Sequence, residues 1–361
     1  MSSSFGHLLQ LHTFGESHGN AIGGIIEGLP AQIPIHTDLI QAQLNRRRPG
    51  QSALTTQRKE TDRVEWLSGI FEGKTLGTPI GFIIRNKDSD PKSYAPFKDL
   101  YRPSHADMVY EQKYGIRDWR GGGRASARET AVRVAAGAIA EQVLRFFTSV
   151  EIVAWVDQIG PLGSNVNAER ITREDVDHSK VRCPDMQASE QMIRLIQSVK
   201  KERDTIGGLI KCICRHVPAG LGEPCFDKLE ADLAKAMLSI PATKGFAIGS
   251  GFDCIAMKGS EHNDSIVNID GKPQTTSNFS GGIQGGISNG MPITFSIPFK
   301  PVATIFQPQQ TIDQSGQNTI INPRGRHDPC VVPRAVPIVE SMTALVLCDH
   351  FLRNRASSPS V

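Results

Sequence analysis

Three consecutive glycines, Gly121, Gly122 and Gly123, lead through Arg124-Ala125-Ser126-Ala127-Arg128-Glu129 into an alanine-rich stretch, Thr130 to Phe147, predicted to be one helix. A glycine-rich approach to a helix start leaves backbone N–H groups and the positive end of the helix dipole facing outward. Two arginines flank this one. Ser126 and Glu129 have capping-box spacing, as an ordinary capped helix would. Capping does not account for three glycines and two arginines in one turn, so the junction reads as an anion site.

Strand-like and helix-like segments alternate on both sides of that junction, which predicts an α+β fold with long functional loops. Ile80 to Ile84, Glu151 to Val156 and Gly208 to Val217 read as strands. Phe226, Leu229, Leu233 and Met237 place one apolar stripe on a helix, and Met192, Ile193, Ile196 and Val199 place another. Val336 to Leu352 is a third amphipathic candidate, in which Pro337 is tolerable only in the first turn. With 361 residues, 39% of them hydrophobic, the chain can bury a substantial core.

Lys+Arg 40 against Asp+Glu 37 leaves a net charge of +3, so bulk nucleic-acid binding is not expected and any attraction for anions must be local. No apolar run approaches the roughly 20 residues of a bilayer span, and Met1 to His7 lacks a signal-peptide layout, so a cytoplasmic protein without a membrane partner is expected. The seven cysteines, from Cys183 to Cys348, read as reduced thiols, mostly buried.

Other unusual segments carry cations, imidazoles and glycines together. Gly15-Glu16-Ser17-His18-Gly19 sets a histidine on a nearly bare backbone, and Asn45-Arg46-Arg47-Arg48-Pro49-Gly50 displays guanidinium forks on a loop, with Arg58, Lys59 and Arg63 behind. Arg102-Pro103-Ser104-His105-Ala106-Asp107 puts a second histidine on a turn beside an arginine and a carboxylate. Ser280-Gly281-Gly282-Ile283-Gln284-Gly285-Gly286 lets backbone approach a flat ring or a phosphate, and Arg324-Gly325-Arg326-His327-Asp328 sets a carboxylate among basic residues, as a salt-bridge partner or a base. Rossmann, P-loop and GxSxG fingerprints are missing, as is metal-ligand spacing, so no metal is expected.

Taken in order, GESHG, RRRPG, RPSHAD, EQKYGIRDWRGGGRASARET, GGIQGGIS and GRHDPCVVPRAVPIVE resemble the chorismate synthase family over almost the whole chain. The resemblance implies one domain, residues 1–353, built as a β-α-β sandwich of sheets and helices, with a frayed tail over 354–361. It implies a homotetramer, reduced FMN (FMNH2) as cofactor, and anti 1,4-elimination of phosphate from 5-enolpyruvylshikimate 3-phosphate without net redox change. Carried over by motif, His18 protonates the departing phosphate with Ser17 in support. His105 lies by the flavin and protonates its reduced anionic form, and Asp328 draws a proton from the flavin N5 region with Ser126 as a relay. Arg47, Arg102 and Arg128 match substrate-binding positions. Arg124, Ala125, Ser126, Ala242, Gly285, Lys300, Pro301, Val302, Ala303, Thr304 and Arg326 match flavin contacts.

Some positions depart from the family pattern. Ala53 stands where another arginine is common, Ala125 replaces a serine, Pro241, Val302 and Ala303 replace more polar residues, and Gln10 and His12 alter the stretch before GESHG. Two other readings stay open: a flavin-binding oxidoreductase with a different acceptor, and an inactive anion-binding relative. With no nicotinamide fingerprint, an external flavin reductase is expected in place of NADPH oxidation by the chain itself. All of this requires His18 and His105 to share one cleft.

Overall fold

Alternating apolar residues in Ala21–Glu27 and Ile80–Arg85 fix the register of the first sheet, because Ile22 pairs with Ile84 and Ile26 with Ile80, all on one buried face. The computed structural model describes residues 3–50, 60–88, 91–323 and 327–357. Ala53, Arg58, Lys59, Arg324, Gly325, Arg326 and the end of the tail, 358–361, lie outside the described residues. The first sheet is antiparallel, in the order Ser4–Phe5, Gln10–Gly15, Ala21–Glu27, Ile80–Arg85, Val64–Trp66. The second is also antiparallel, in the order Ala247–Ile248, Ile293–Phe299, Gly208–Arg215, Glu151–Ile159, Leu162–Gly163. The three predicted strands are therefore strands, and the fold is α+β.

Helices fill the space between the sheets. The alanine-rich helix runs over Thr130–Phe147 and packs on the first sheet, on Thr37–Arg47 and along the C-terminal helix Val332–Ser357. Small residues permit the close helix approach. A Cβ on Gly137 would fall 2.4 Å from the Ser341 Cβ and 2.5 Å from its carbonyl oxygen. The C-terminal helix in turn packs on Glu151–Ile159, Gly208–Arg215 and Leu229–Leu238. Burial of the central helix and the C-terminal one, with apolar residues 131–144 and 332–352 contributing, forms the core.

Several local expectations are corrected. Val332–Ser357 is buried from Val332 to Leu352 except at Arg334, not along one stripe, because it has a helix layer on one side and a sheet on the other. Among the described helices it is also long and apolar enough to cross a membrane, contrary to the reading that no run is, but here it is the core helix. Pro337 falls in its second turn, not its first. The Pro333 carbonyl that Pro337 cannot satisfy accepts instead from the Arg182 Nη1 at 2.9 Å. The same helix continues through Ser357, so residues 354–357 are helical, not frayed.

Phe226 lies before the Leu229–Leu238 helix and is 93% exposed, so it does not belong to the buried stripe of Leu229, Leu233 and Met237. All seven cysteines are free, five of them buried. The chain ends are fastened together, since Asp349 on the C-terminal helix accepts from the backbone N–H groups of His7, Leu8 and Leu9 at 3.1, 2.7 and 2.8 Å.

Candidate active site

The strand Gln10–Gly15 ends on Gly15, and the next residues close a tight turn through Gly19 N–H to the Glu16 carbonyl, 3.1 Å. The turn presents Ser17, buried, and His18, whose Nδ1 lies 3.1 Å from the Ser17 Oγ. Gly121 passes directly behind: at φ +124° a Cβ there would stand 2.2 Å from His18 Nδ1 and 3.0 Å from Ser17 Oγ, so only glycine fits. The His18 ring meets Tyr94 edge-on at 5.0 Å between centroids.

Tyr94 also meets Arg102, whose guanidinium carbon is 5.5 Å from the ring centroid. Asp107 holds that guanidinium in a two-pronged contact, Nε to Oδ2 and Nη2 to Oδ1 both at 2.7 Å, and Nη2 also donates to the Gly121 carbonyl at 2.9 Å. Burial alone would push the Asp107 carboxyl up, but the Arg102 hydrogen bonds outweigh it and hold it below the usual range. Arg102 is therefore an aimed cation already neutralised by its own carboxylate.

His105 follows on the same turn, its N–H donating to the Arg102 carbonyl at 3.1 Å and its Nε2 lying 2.7 Å from the Thr304 Oγ1. Burial, and then the Arg102 charge, push the His105 imidazole down to about 4, with His327 and Lys300 adding to the effect and Asp107 opposing it. The same two leading causes push His327 down to about 4. Both rings are consequently neutral at neutral pH, so His105 has no proton in excess to donate until an anion beside it raises its affinity again.

Arg47 and Arg128 form a second cluster. Both side chains are 2% exposed. Arg128 pairs with the Asp62 Oδ1, donates from Nε to the Asn86 Oδ1 at 2.8 Å and lies at 3.4 Å from the Arg85 carbonyl. Arg47 donates to the Arg128 carbonyl at 3.3 Å, with its Nη2 3.8 Å from the Asp62 Oδ2. Burial would raise the Asp62 carboxyl, yet Arg47, Arg128 and Arg334 hold it below its ordinary value. Arg334 also pairs with Asp328 and donates to the Arg47 carbonyl at 3.2 Å, which brings Asp328 to the edge of this cluster.

The remaining residues vary in how closely they gather. Ser126 Oγ accepts from the Arg128 N–H at 3.3 Å and caps a single 3-10 turn, Ala127–Glu129, ahead of the helix. The expected capping box does not form, because the Glu129 carboxylate turns to Arg133 at 2.8 Å instead of reaching back. Arg124 donates to the Thr13 and Gly15 carbonyls at 3.2 and 3.3 Å. Ala242 adopts φ +74° and its carbonyl receives the Lys300 N–H at 2.9 Å, while Thr205 Oγ1 donates to the Val302 carbonyl at 2.7 Å. Lys300 to Thr304 is thereby fixed next to His105. Gly285 sits at the tip of the Ile283–Gln284 and Ile287–Ser288 hairpin, which packs on Gly222 and Leu229. Arg326 lies outside the described residues.

The family model described as chorismate synthase matches residues 9–352. A chorismate synthase of Christiangramia forsetii is 58% identical over 355 residues, covering 98% of this chain and 99% of that protein. One from Cyanothece sp. is 55% identical over 356 residues, covering 99% and 98%. This chain belongs to the chorismate synthase family. A solved structure titled as a chorismate synthase crystal structure superposes with a TM-score of 0.77 at 33% identity, covering 96% of this chain and 92% of that one. Chorismate synthase is accordingly the function these matches support, and they do not favour the oxidoreductase and inactive-relative readings.

Within this family site, several residues had no assigned role in the sequence reading. Asp62 is, with Glu60, one of two carboxylates among Arg58, Lys59 and Arg63, so its place in a basic run was the available signal. Asn86, Tyr94 and Thr13 stand in no motif, and only tertiary structure brings them in.

Proposed function

We propose that this chain is a carbon–oxygen lyase that removes phosphate from 5-enolpyruvylshikimate 3-phosphate by anti 1,4-elimination, with reduced FMN bound beside the substrate. The observation that carries this reading is the position of Arg102, which shares Tyr94 with His18, donates to the carbonyl of the Gly121 that backs the His18 ring, and acts by its charge on His105. One cation thus lies near both imidazoles, as a shared cleft for a phosphorylated substrate requires.

The residues fit a flavin mononucleotide. Two half-buried imidazoles kept neutral by desolvation and by Arg102 describe a largely enclosed, positively charged space that an anionic cofactor would suit. Arg124, Ser126, Lys300 and Thr304 supply donors for a phosphate and ring carbonyls, and Ala125, Ala242, Gly285, Pro301, Val302 and Ala303 supply close, small surfaces. Reduced FMN held by these residues would supply transient electron density to the substrate and recover it, which would let the phosphate leave without net oxidation.

With Nδ1 next to Ser17, the Nε2 of His18 is the nitrogen that donates a proton to the leaving phosphate and lowers the cost of expelling it. Arg47, Arg102 and Arg128 stabilise the anionic substrate and the charge that develops on the departing group. Asp328, fixed by Arg334, is the carboxylate base of this reading, with Ser126 as a relay. His105, bonded to Thr304, holds its ring toward the cofactor.

A homotetramer fits the exposed apolar side chains of Phe252, Ile255 and Ile266, the second 87% exposed. Seven free thiols fit a reducing cytoplasm. An external flavin reductase supplies the electrons. The test is an anaerobic incubation with FMN, a reductant and the phosphorylated substrate, followed by phosphate release and the ultraviolet absorbance of the diene. Many turnovers per reduced flavin are expected. No release from folded, flavin-loaded protein would defeat the reading, and one reducing equivalent consumed per product would identify an oxidoreductase.

A further inference from the structure

Asn86 follows the strand Ile80–Arg85 and belongs to none of the motifs that carry the chemistry. Its side-chain amide nevertheless bridges two of them. The Nδ2 group donates to the Glu16 carbonyl at 3.0 Å and to the Gly19 carbonyl at 2.8 Å, so it closes both ends of the turn that bears Ser17 and His18. The Oδ1 accepts from the Arg128 Nε at 2.8 Å. A backbone bond, Asn86 N–H to the Asn20 carbonyl at 3.1 Å, ties the same turn to the strand end.

The orientation of the amide is determined by its partners. Reversing it would point NH2 at a guanidinium, which has no acceptor, and an oxygen at two carbonyls, which have no donor. Asn is the side chain that offers an acceptor on one side and two donors on the other at this reach. Asp would keep the acceptor and lose both donors.

We infer that Asn86 is the positioning residue that holds the His18 turn in register with the substrate-binding Arg128, a role that rests on the elimination reading above. Arg128 keeps Asp62 and the Arg85 carbonyl whatever stands at position 86, whereas the Glu16 and Gly19 carbonyls lose their side-chain tether. Loss of Asn86 therefore displaces His18 more than it weakens the arginine cluster. Misplacing an acid by a fraction of its hydrogen-bond reach slows proton donation without abolishing substrate binding.

Two variants separate these effects. Asn86→Asp keeps a bond to Arg128 and turns a carboxylate toward the two loop carbonyls, and Asn86→Ala removes everything. Each is expected to lower kcat about tenfold or more while leaving the KM for substrate, and the affinity for FMN measured by flavin fluorescence, within about threefold. Wild-type kcat in Asn86→Asp would overturn the inference. So would parallel losses of kcat, KM and flavin affinity, which indicate general loosening. Wild-type protein assayed alongside distinguishes the two levels: no phosphate release from it defeats the elimination reading, whereas release from it with undiminished kcat in Asn86→Asp defeats only the role of Asn86.

Discussion

Lowering the pH from 7 to 5 is expected to destabilise the ligand-free protein through two histidines. His105 and His327 each fall from 6.5 to about 4, chiefly by burial and next by the charge of Arg102. Lys300 and Asp107 also face His105, and Asp328 faces His327. Between those two values the unfolded chain binds protons that the folded one refuses, so stability is present above 6.5 and is lost as pH falls toward 4. At about 1.4 kcal/mol per pH unit, the change from pH 7 to 5 costs about 2 kcal/mol for each ring, about 4 kcal/mol together. Asp62 and Asp107, held below the ordinary carboxylate value of 3.8, lose their contribution only at lower pH, and Glu16, raised by burial, works in the opposite sense. Urea unfolding followed by circular dichroism at pH 7, 6 and 5 measures the slope. His105→Gln and His327→Gln should each remove about half of it. Equal stability at pH 7 and 5, or an unchanged slope in the double variant, would refute the argument.

Other perturbations are expected to act more locally. His18→Ala should lower kcat by about a hundredfold or more with the thermal melt unchanged, and wild-type turnover would remove His18 from the mechanism; His105→Ala is read in the same way. Gly121→Ala places a methyl 2.2 Å from His18 Nδ1 at φ +124° and should impair turnover comparably, as a steady-state assay would show. Glu340 is buried against Arg46 and Arg173 and accepts the Ala154 N–H at 3.1 Å, so Glu340→Gln leaves Arg46 with Asp177 and Arg173 with Glu141 as their remaining carboxylates. A loss of about 1–3 kcal/mol in urea unfolding is expected, and no measurable loss would contradict the burial argument.

The residues that the structure gathers at the candidate site were legible where a short segment carries its own constraint. His18 between glycines, His105 after a proline and Arg128 behind three glycines all stood out, and the structure joins them through Tyr94, Arg102 and Asn86. What was not legible depends on residues far apart in the chain. Pro337 looked confined to a first turn because nothing nearby signals that Arg182 will take up the Pro333 carbonyl. The Ser126–Glu129 box looked complete because spacing does not reveal that Arg133 competes for the glutamate. Phe226 continued the apolar period, yet the helix starts only at Leu229. Val336 to Leu352 was read as amphipathic, yet both sides of Val332–Ser357 are inside the molecule, and a one-sided pattern decides the packing only where a helix meets water.

That last helix has a consequence for how the molecule is made. A ribosome releases it after the segments it supports, so both sheets and the Thr130–Phe147 helix must wait with an unfilled interior until it emerges. The nascent chain can pre-assemble hairpins but cannot close around them. When Asp349 captures the backbone of His7, Leu8 and Leu9, it fastens residues that left the ribosome at least 340 positions before it.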